Sequence, residues 1–130
     1  MNKFIFDIQR FDDFDNSTDN TLITGTNEAD SILNTGSNVT IEALGGDDTI
    51  YTDGNSNVYI YNSGDGNDLI TGFDASLILS IGDGSGTYST VTNGDDLIVT
   101  VGKGNVTLQG AANLGELNIQ GSLVSAGNTS

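Results

Sequence analysis

Three aspartates, Asp30, Asp48 and Asp68, recur at intervals of 18 and 20 residues, each two positions ahead of an isoleucine. Repeated carboxylates in glycine-rich loops suit one chemistry above others: they hold hard cations, with turn carbonyls as further oxygen donors. The chain has no His and no Cys. That excludes disulfides, thiolate or imidazole metal sites, haem, and nucleophilic mechanisms built on Ser-His or Cys-His pairs. With 18 acidic against 3 basic residues, the net charge of -15 repels nucleic-acid phosphates and anionic lipid alike. A carboxylate-pair hydrolase needs a cleft and a positioned acid and base, whereas these acids fall in turns, so no enzyme is expected.

The elements that must position the aspartates follow from a repeat. Ile23, Ile32, Ile41, Ile50, Ile60 and Ile70 stand 9, 9, 9, 10 and 10 residues apart. Each sits in a short apolar word, such as Asp48-Thr49-Ile50 or Val58-Tyr59-Ile60, followed by turn residues. Helices are excluded by this spacing and by 18 Gly in 130 residues. The Asp-bearing words alternate with words carrying Val39 and Val58, so two words make one coil. The pattern predicts an all-β fold: a short parallel β-solenoid, with Ile32, Ile50 and Ile70 facing Ile23, Ile41 and Ile60 across a thin core. Stacking three Asp at a strand spacing of about 4.8 Å is repulsive without a cation, which argues for metal on physical grounds. Turn-forming acids fanning out into water are the plain alternative.

These words resemble the glycine-rich nonapeptide, Gly-Gly-x-Gly-x-Asp-x-apolar-x, of the repeats-in-toxin (RTX) calcium-binding family. Ser63-Gly64-Asp65-Gly66-Asn67-Asp68-Leu69-Ile70 keeps all but the first Gly. Gly25-Thr26-Asn27-Glu28-Ala29-Asp30-Ser31-Ile32 keeps the first Gly, the Asp and the Ile, and Ala43-Leu44-Gly45-Gly46-Asp47-Asp48-Thr49-Ile50 keeps the second half. The resemblance implies a β-roll over residues 21–74 that binds Ca2+. It implies carboxylate ligands from Asp30, Asp48 and Asp68, with Asp47 and Asp65 beside them. Carbonyls near Gly25, Asn27, Gly45, Asp47, Gly64 and Gly66 would complete at most two sites between coils. Where Val39 and Val58 replace the family's Asp, no ligand is expected.

The flanks break the beat. Residues 75–121 show strand runs separated by hairpin signals at Asn93-Gly94-Asp95-Asp96 and Gly102-Lys103-Gly104-Asn105, which predicts an antiparallel β-meander cap at the C-terminal end. Asp95 and Asp96 are expected to be solvated turn residues, and 122–130 a flexible tail. Residues 1–20 divide into a strand, with Phe4, Phe6 and Ile8 on one face, and an acidic spacer from Asp12 to Asp19. That strand either caps its own first coil or pairs with a second copy by strand addition.

No run of 18 apolar residues appears, so no membrane span is expected. Met1 to Phe6 begins like a secretory signal, but Asp7, Gln9 and Arg10 interrupt it, so a cleaved N-terminal signal is not expected. The functional expectation is a secreted, calcium-binding structural protein that self-assembles head to tail into filaments. The alternative is a calcium-dependent folding or secretion module of a larger adhesin or exoprotein.

Overall fold

The computed structural model describes residues 13–62, 64–81, 88–120 and 122–125. Two sheets face one another. The first, in spatial order, contains β1 (Asp13–Asn16), β3 (Ser31–Asn34), β5 (Thr49–Thr52), β7 (Asn67–Thr71), β11 (Gly104–Leu108), β10 (Asp96–Val101) and β9 (Ser89–Asn93). The second runs from β13 (Ser122–Ser125) through β12 (Glu116–Ile119), β8 (Ile78–Ile81), β6 (Val58–Tyr61) and β4 (Thr40–Glu42) to β2 (Leu22–Thr24). From β1 to β8 the chain crosses between sheets after every strand and all pairing is parallel, giving about four solenoid turns.

Strand pairing sets the beat more accurately than the isoleucines do. Leu22 pairs Thr40, Thr40 pairs Val58 and Val58 pairs Ile78, while Ser31 pairs Thr49 and Thr49 pairs Leu69. Successive half-coils are therefore nine residues long, except the one from Val58 to Leu69, which is eleven. The inward positions are Ile23, Ile32, Ile41, Ile50, Tyr59, Ile70 and Leu79, all buried. Ile60 does not face Ile70 as its type suggests. It pairs with Glu42 and is half-buried on the outer face, because side chains alternate and both Tyr59 and Tyr61 point inward. Val58 likewise faces outward, and the position level with Val39 is held by buried Asn57.

The stack extends past residues 21–74 at both ends. β1 lies within the segment read as an acidic spacer, anchored by Phe14, which pairs with Ile32 and packs on the core. β8 adds a fourth strand to the second sheet. The expected strand at Phe4–Ile8 lies outside the described residues.

The C-terminal cap is antiparallel, as expected, but it continues the sheets instead of lying across them. Asn93 pairs Asp96 around Gly94 and Asp95, and Val101 pairs Gly104 around Gly102 and Lys103. β11 then stacks in parallel on β7, with Val106 opposite Asp68. A short 3-10 turn at Ala111–Leu114 leads to β12, which stacks on β8. Residues 122–125, expected in a loose tail, form β13 against β12. Asp96 is not simply solvated, since it accepts the Gly110 N–H at 2.9 Å and ties the cap's two loops together.

Candidate cation site on one turn edge

The solenoid has two turn edges, and chemistry-bearing residues collect on one of them. Turns from the second sheet to the first carry Asp30, Asp48 and Asp68, each immediately before or at the start of its strand. All three are buried, at 3%, 1% and 3% exposure. Two of the carboxylates reach back one coil: Asp48 Oδ1 accepts the Asp30 N–H at 2.8 Å, and Asp68 Oδ1 accepts the Asp48 N–H at 3.0 Å. The column is thus built by the parallel stack, which brings residues 18 and 20 apart in sequence into direct contact.

The second oxygens differ, and that difference localises the site. Both oxygens of Asp30 are taken by its own turn, Oδ1 by the Thr26 hydroxyl at 2.8 Å and Oδ2 by the Thr26 N–H at 2.7 Å. Asp68 Oδ2 accepts the Tyr59 hydroxyl at 2.6 Å. Asp48 Oδ2, in the middle of the column, is buried with no hydrogen-bond partner. A buried carboxylate oxygen without a partner is costly, so the group must gain either a proton or a cation. Burial, opposed by the Asp30 N–H and reinforced by Asp68, Asp30 and Asp47, raises the Asp48 pKa from 3.8 to about 8. Burial also raises Asp68 to about 7, against the lowering effect of Tyr59 and the Asp48 N–H.

The surrounding donor set is all oxygen. A side chain at Gly66 would overlap the Gly46 carbonyl, and one at Gly25 would press on Asp30 Oδ2 and the Ala43 carbonyl at 2.8 Å. Both Gly46 and Gly66 hold positive φ, 87° and 93°, as turns that present carbonyls toward a neighbouring coil require. This donor set fits a calcium ion: hard oxygens, glycine turns and an orphaned carboxylate atom. Among the described residues no three acidic side chains converge on one point, because the stack spaces them one per coil. Backbone carbonyls must therefore supply most of any coordination shell.

The remaining predicted residues are placed unevenly. Asp47 is exposed and its Oδ1 accepts the Asn67 N–H at 2.9 Å, linking two coils. Asp65 ties its own turn through the Asn62 N–H at 2.9 Å. Gly45 packs beside Asn27, whereas Gly64 has nothing within 4 Å of where a side chain would begin, so it stands clear of the column. The eleven-residue half-coil lies here. Its two extra residues fall in the stretch with the fullest nonapeptide match, and Tyr61 donates its hydroxyl to the Gly66 carbonyl across that loop.

Sequence reasoning missed the opposite edge. There Asn16 Nδ2 donates to Asn34 Oδ1 at 2.8 Å, and Asn34 Nδ2 donates to Thr52 Oγ1 at 3.0 Å. Asn34 also closes its own turn through the Gly36 N–H and carbonyl, at 3.0 and 3.1 Å. Asn57 donates to Thr52 Oγ1 at 3.0 Å and accepts the Val39 N–H at 2.9 Å, repeating the backward reach of the aspartates without their charge. The 18-residue recurrence of Asn16, Asn34 and Thr52 was the available signal.

Fold and site together define a two-sheeted parallel β-solenoid with an aspartate column buried along one turn edge and an uncharged Asn/Thr ladder buried along the other, where Asp19, Asp53 and Asp74 lie at the surface. No family model and no curated protein matches the chain. Among solved structures, it is similar to the extracellular lipase LipA from Serratia marcescens, with TM-score 0.52 and 24% identity, covering 72% of this chain and 18% of that one. The likeness is one of fold, and this chain spans less than a fifth of the lipase's length.

Proposed function

We propose that this chain is an extracellular structural module of the RTX kind, in which calcium bound at the aspartate edge fastens one coil to the next. The unpartnered, buried Oδ2 of Asp48 carries the reading. Asp48 and Asp68 would hold the ion with carbonyls of the Gly46 and Gly66 turns, and Asp30 with the Ala43 carbonyl would form the flanking position. When bound, the ion supplies the positive charge that three stacked carboxylates lack. The chain's own residues do the rest: glycines admit the carbonyls, Thr26 and Tyr59 orient the outer carboxylates, and the Ile layer keeps water from the inner side.

A folding or secretion module within a larger exoprotein is the second reading. It is favoured by the extent of the structural likeness, which is confined to 18% of an extracellular lipase. Thermal unfolding in EGTA and in millimolar calcium tests the common claim. A melting temperature that rises with calcium, and a titration that saturates, supports it. Superimposable curves would refute calcium binding and leave the protonated column as the native state.

A further inference from the structure

The two ends of the stack are unlike. At the C-terminal end the first sheet counts seven strands and the second six, so β9 overhangs by one strand. Thr92 and Thr90 pair with Leu97 and Val99 and share their inward face. Leu97 and Val99 are buried, whereas Thr90 and Thr92 are exposed. Among the described residues, therefore, no strand covers the inner face of β9, and β9 and β13 each have a single sheet neighbour.

We propose that this step receives Phe4–Ile8 of a second copy as an added strand, running beside β13 and facing β9. Three observations select that occupant. Phe4, Phe6 and Ile8 alternate with Ile5 and Asp7, so one face of the segment is wholly apolar and matches the period of a strand. Residues 1–10 carry Lys3 and Arg10 against Asp7, while the other residues hold a single basic side chain and 17 acids; the arm is thus the one cationic segment of an anionic chain. Finally, the arm cannot reach the step of its own chain. β1 begins at Asp13 and lies six strand spacings from β9, about 29 Å, whereas the five residues from Ile8 to Asp13 span at most about 17 Å. Such a contact joins unlike surfaces, and repetition produces an open filament unless the rotation closes it.

The absence of Cys makes the test direct. Full-length Phe6→Cys and Thr92→Cys chains, mixed at high concentration with calcium and then oxidised, are expected to give a disulfide-linked pair containing one of each. Light scattering of the unsubstituted chain should show a mass that climbs above 13.5 kDa with concentration, and Phe4→Ser/Phe6→Ser/Ile8→Ser should abolish the climb. An unsubstituted chain that stays monomeric throughout would overturn the proposal. So would efficient intramolecular closure in one chain carrying Phe6→Cys and Leu22→Cys, because that places the arm over its own first coil.

Discussion

The two turn edges of the solenoid solve one problem with different chemistry. Every coil must satisfy buried polar atoms where the chain reverses between sheets. On the Asn/Thr edge the uncharged side chains of Asn16, Asn34, Thr52 and Asn57 both donate and accept, so each can bond to its own turn and to the adjacent coil. On the acidic edge ionised carboxylates only accept. Once each has taken a backbone N–H, the surplus lone pairs need donors from elsewhere, and Asp48 has none. The neutral ladder is therefore complete in the protein alone, and the acidic column is complete only with a proton or a cation.

The largest effect should come from the complete edge. Asn34→Leu strands the buried Gly36 N–H and carbonyl, and takes one bond each from the Asn16 amide, which keeps the Thr18 carbonyl, and the Thr52 hydroxyl, which keeps Asn57. At about 1–3 kcal/mol per buried unsatisfied group, a loss of about 4 kcal/mol is expected, or roughly 15 °C in melting temperature. Calorimetry should find the same loss in calcium and in EGTA. A deficit that calcium repairs would mean that the edges are not independent.

The acidic edge should respond to pH. In the metal-free folded chain, Asp48 and Asp68 keep their protons up to about 8 and about 7, against an ordinary value of 3.8. Between these limits the folded state binds more protons than the unfolded one, so the contribution of the two groups to metal-free stability is fully present below about pH 4 and falls as pH rises from there to about 8. A loss of about 2–3 kcal/mol from pH 5 to pH 8.5 is expected, after allowing for relaxation around the pair. With saturating calcium the decline should flatten, since binding requires the deprotonated form. Denaturant melts across pH, with and without EGTA, measure both slopes. A metal-free stability that increases over this range would refute the buried column.

Asp48→Asn makes the aspartate column resemble the Asn/Thr ladder of the opposite edge. The amide keeps an acceptor for the Asp30 N–H and removes the charge. Metal-free stability at pH 8 should rise by about 1–2 kcal/mol as desolvation of a carboxylate is relieved, while the calcium-induced shift largely disappears. Asp95→Asn, at an exposed hairpin turn, should leave that shift intact. Equal calcium responses in both variants would place the ion elsewhere.

How far the sequence reveals this asymmetry depends on the residue type. Aspartates at coil spacing announce themselves, because a repeated charge has few structural uses. Asn and Thr in turns are what any turn contains, so the ladder became visible only when the stack placed Asn34 between Asn16 and Thr52. The inward face at β6 was obscured by the eleven-residue half-coil. An isoleucine at 60 kept an approximate beat, while true registry assigned the core position to Tyr59 and brought its hydroxyl within reach of Asp68. Phe14 was masked by its acidic neighbours, although burial of an aromatic ring readily draws such a segment into a strand.

Tyr59 offers the finest probe of the comparison, because this inward side chain lends the acidic column a donor. Its hydroxyl bonds Asp68 Oδ2, and burial together with Asp68 pushes its own pKa well up, so it remains a donor at every relevant pH. A cation at the column competes with that hydroxyl for the same oxygen. Tyr59→Phe keeps the ring in the core and deletes only the donor. Without calcium it should cost about 1 kcal/mol, the worth of one hydrogen bond to a carboxyl. With calcium the cost should shrink, because the released Asp68 oxygen is free to join Asp48 Oδ2 around the ion, and the calcium-induced stabilisation should exceed that of the unsubstituted chain by a similar amount. Paired melts of the two proteins over a calcium titration measure this difference. If the cost of Tyr59→Phe is identical with and without calcium, Asp68 Oδ2 is no ligand, and the ion, if bound, lies on the Asp30 side of Asp48.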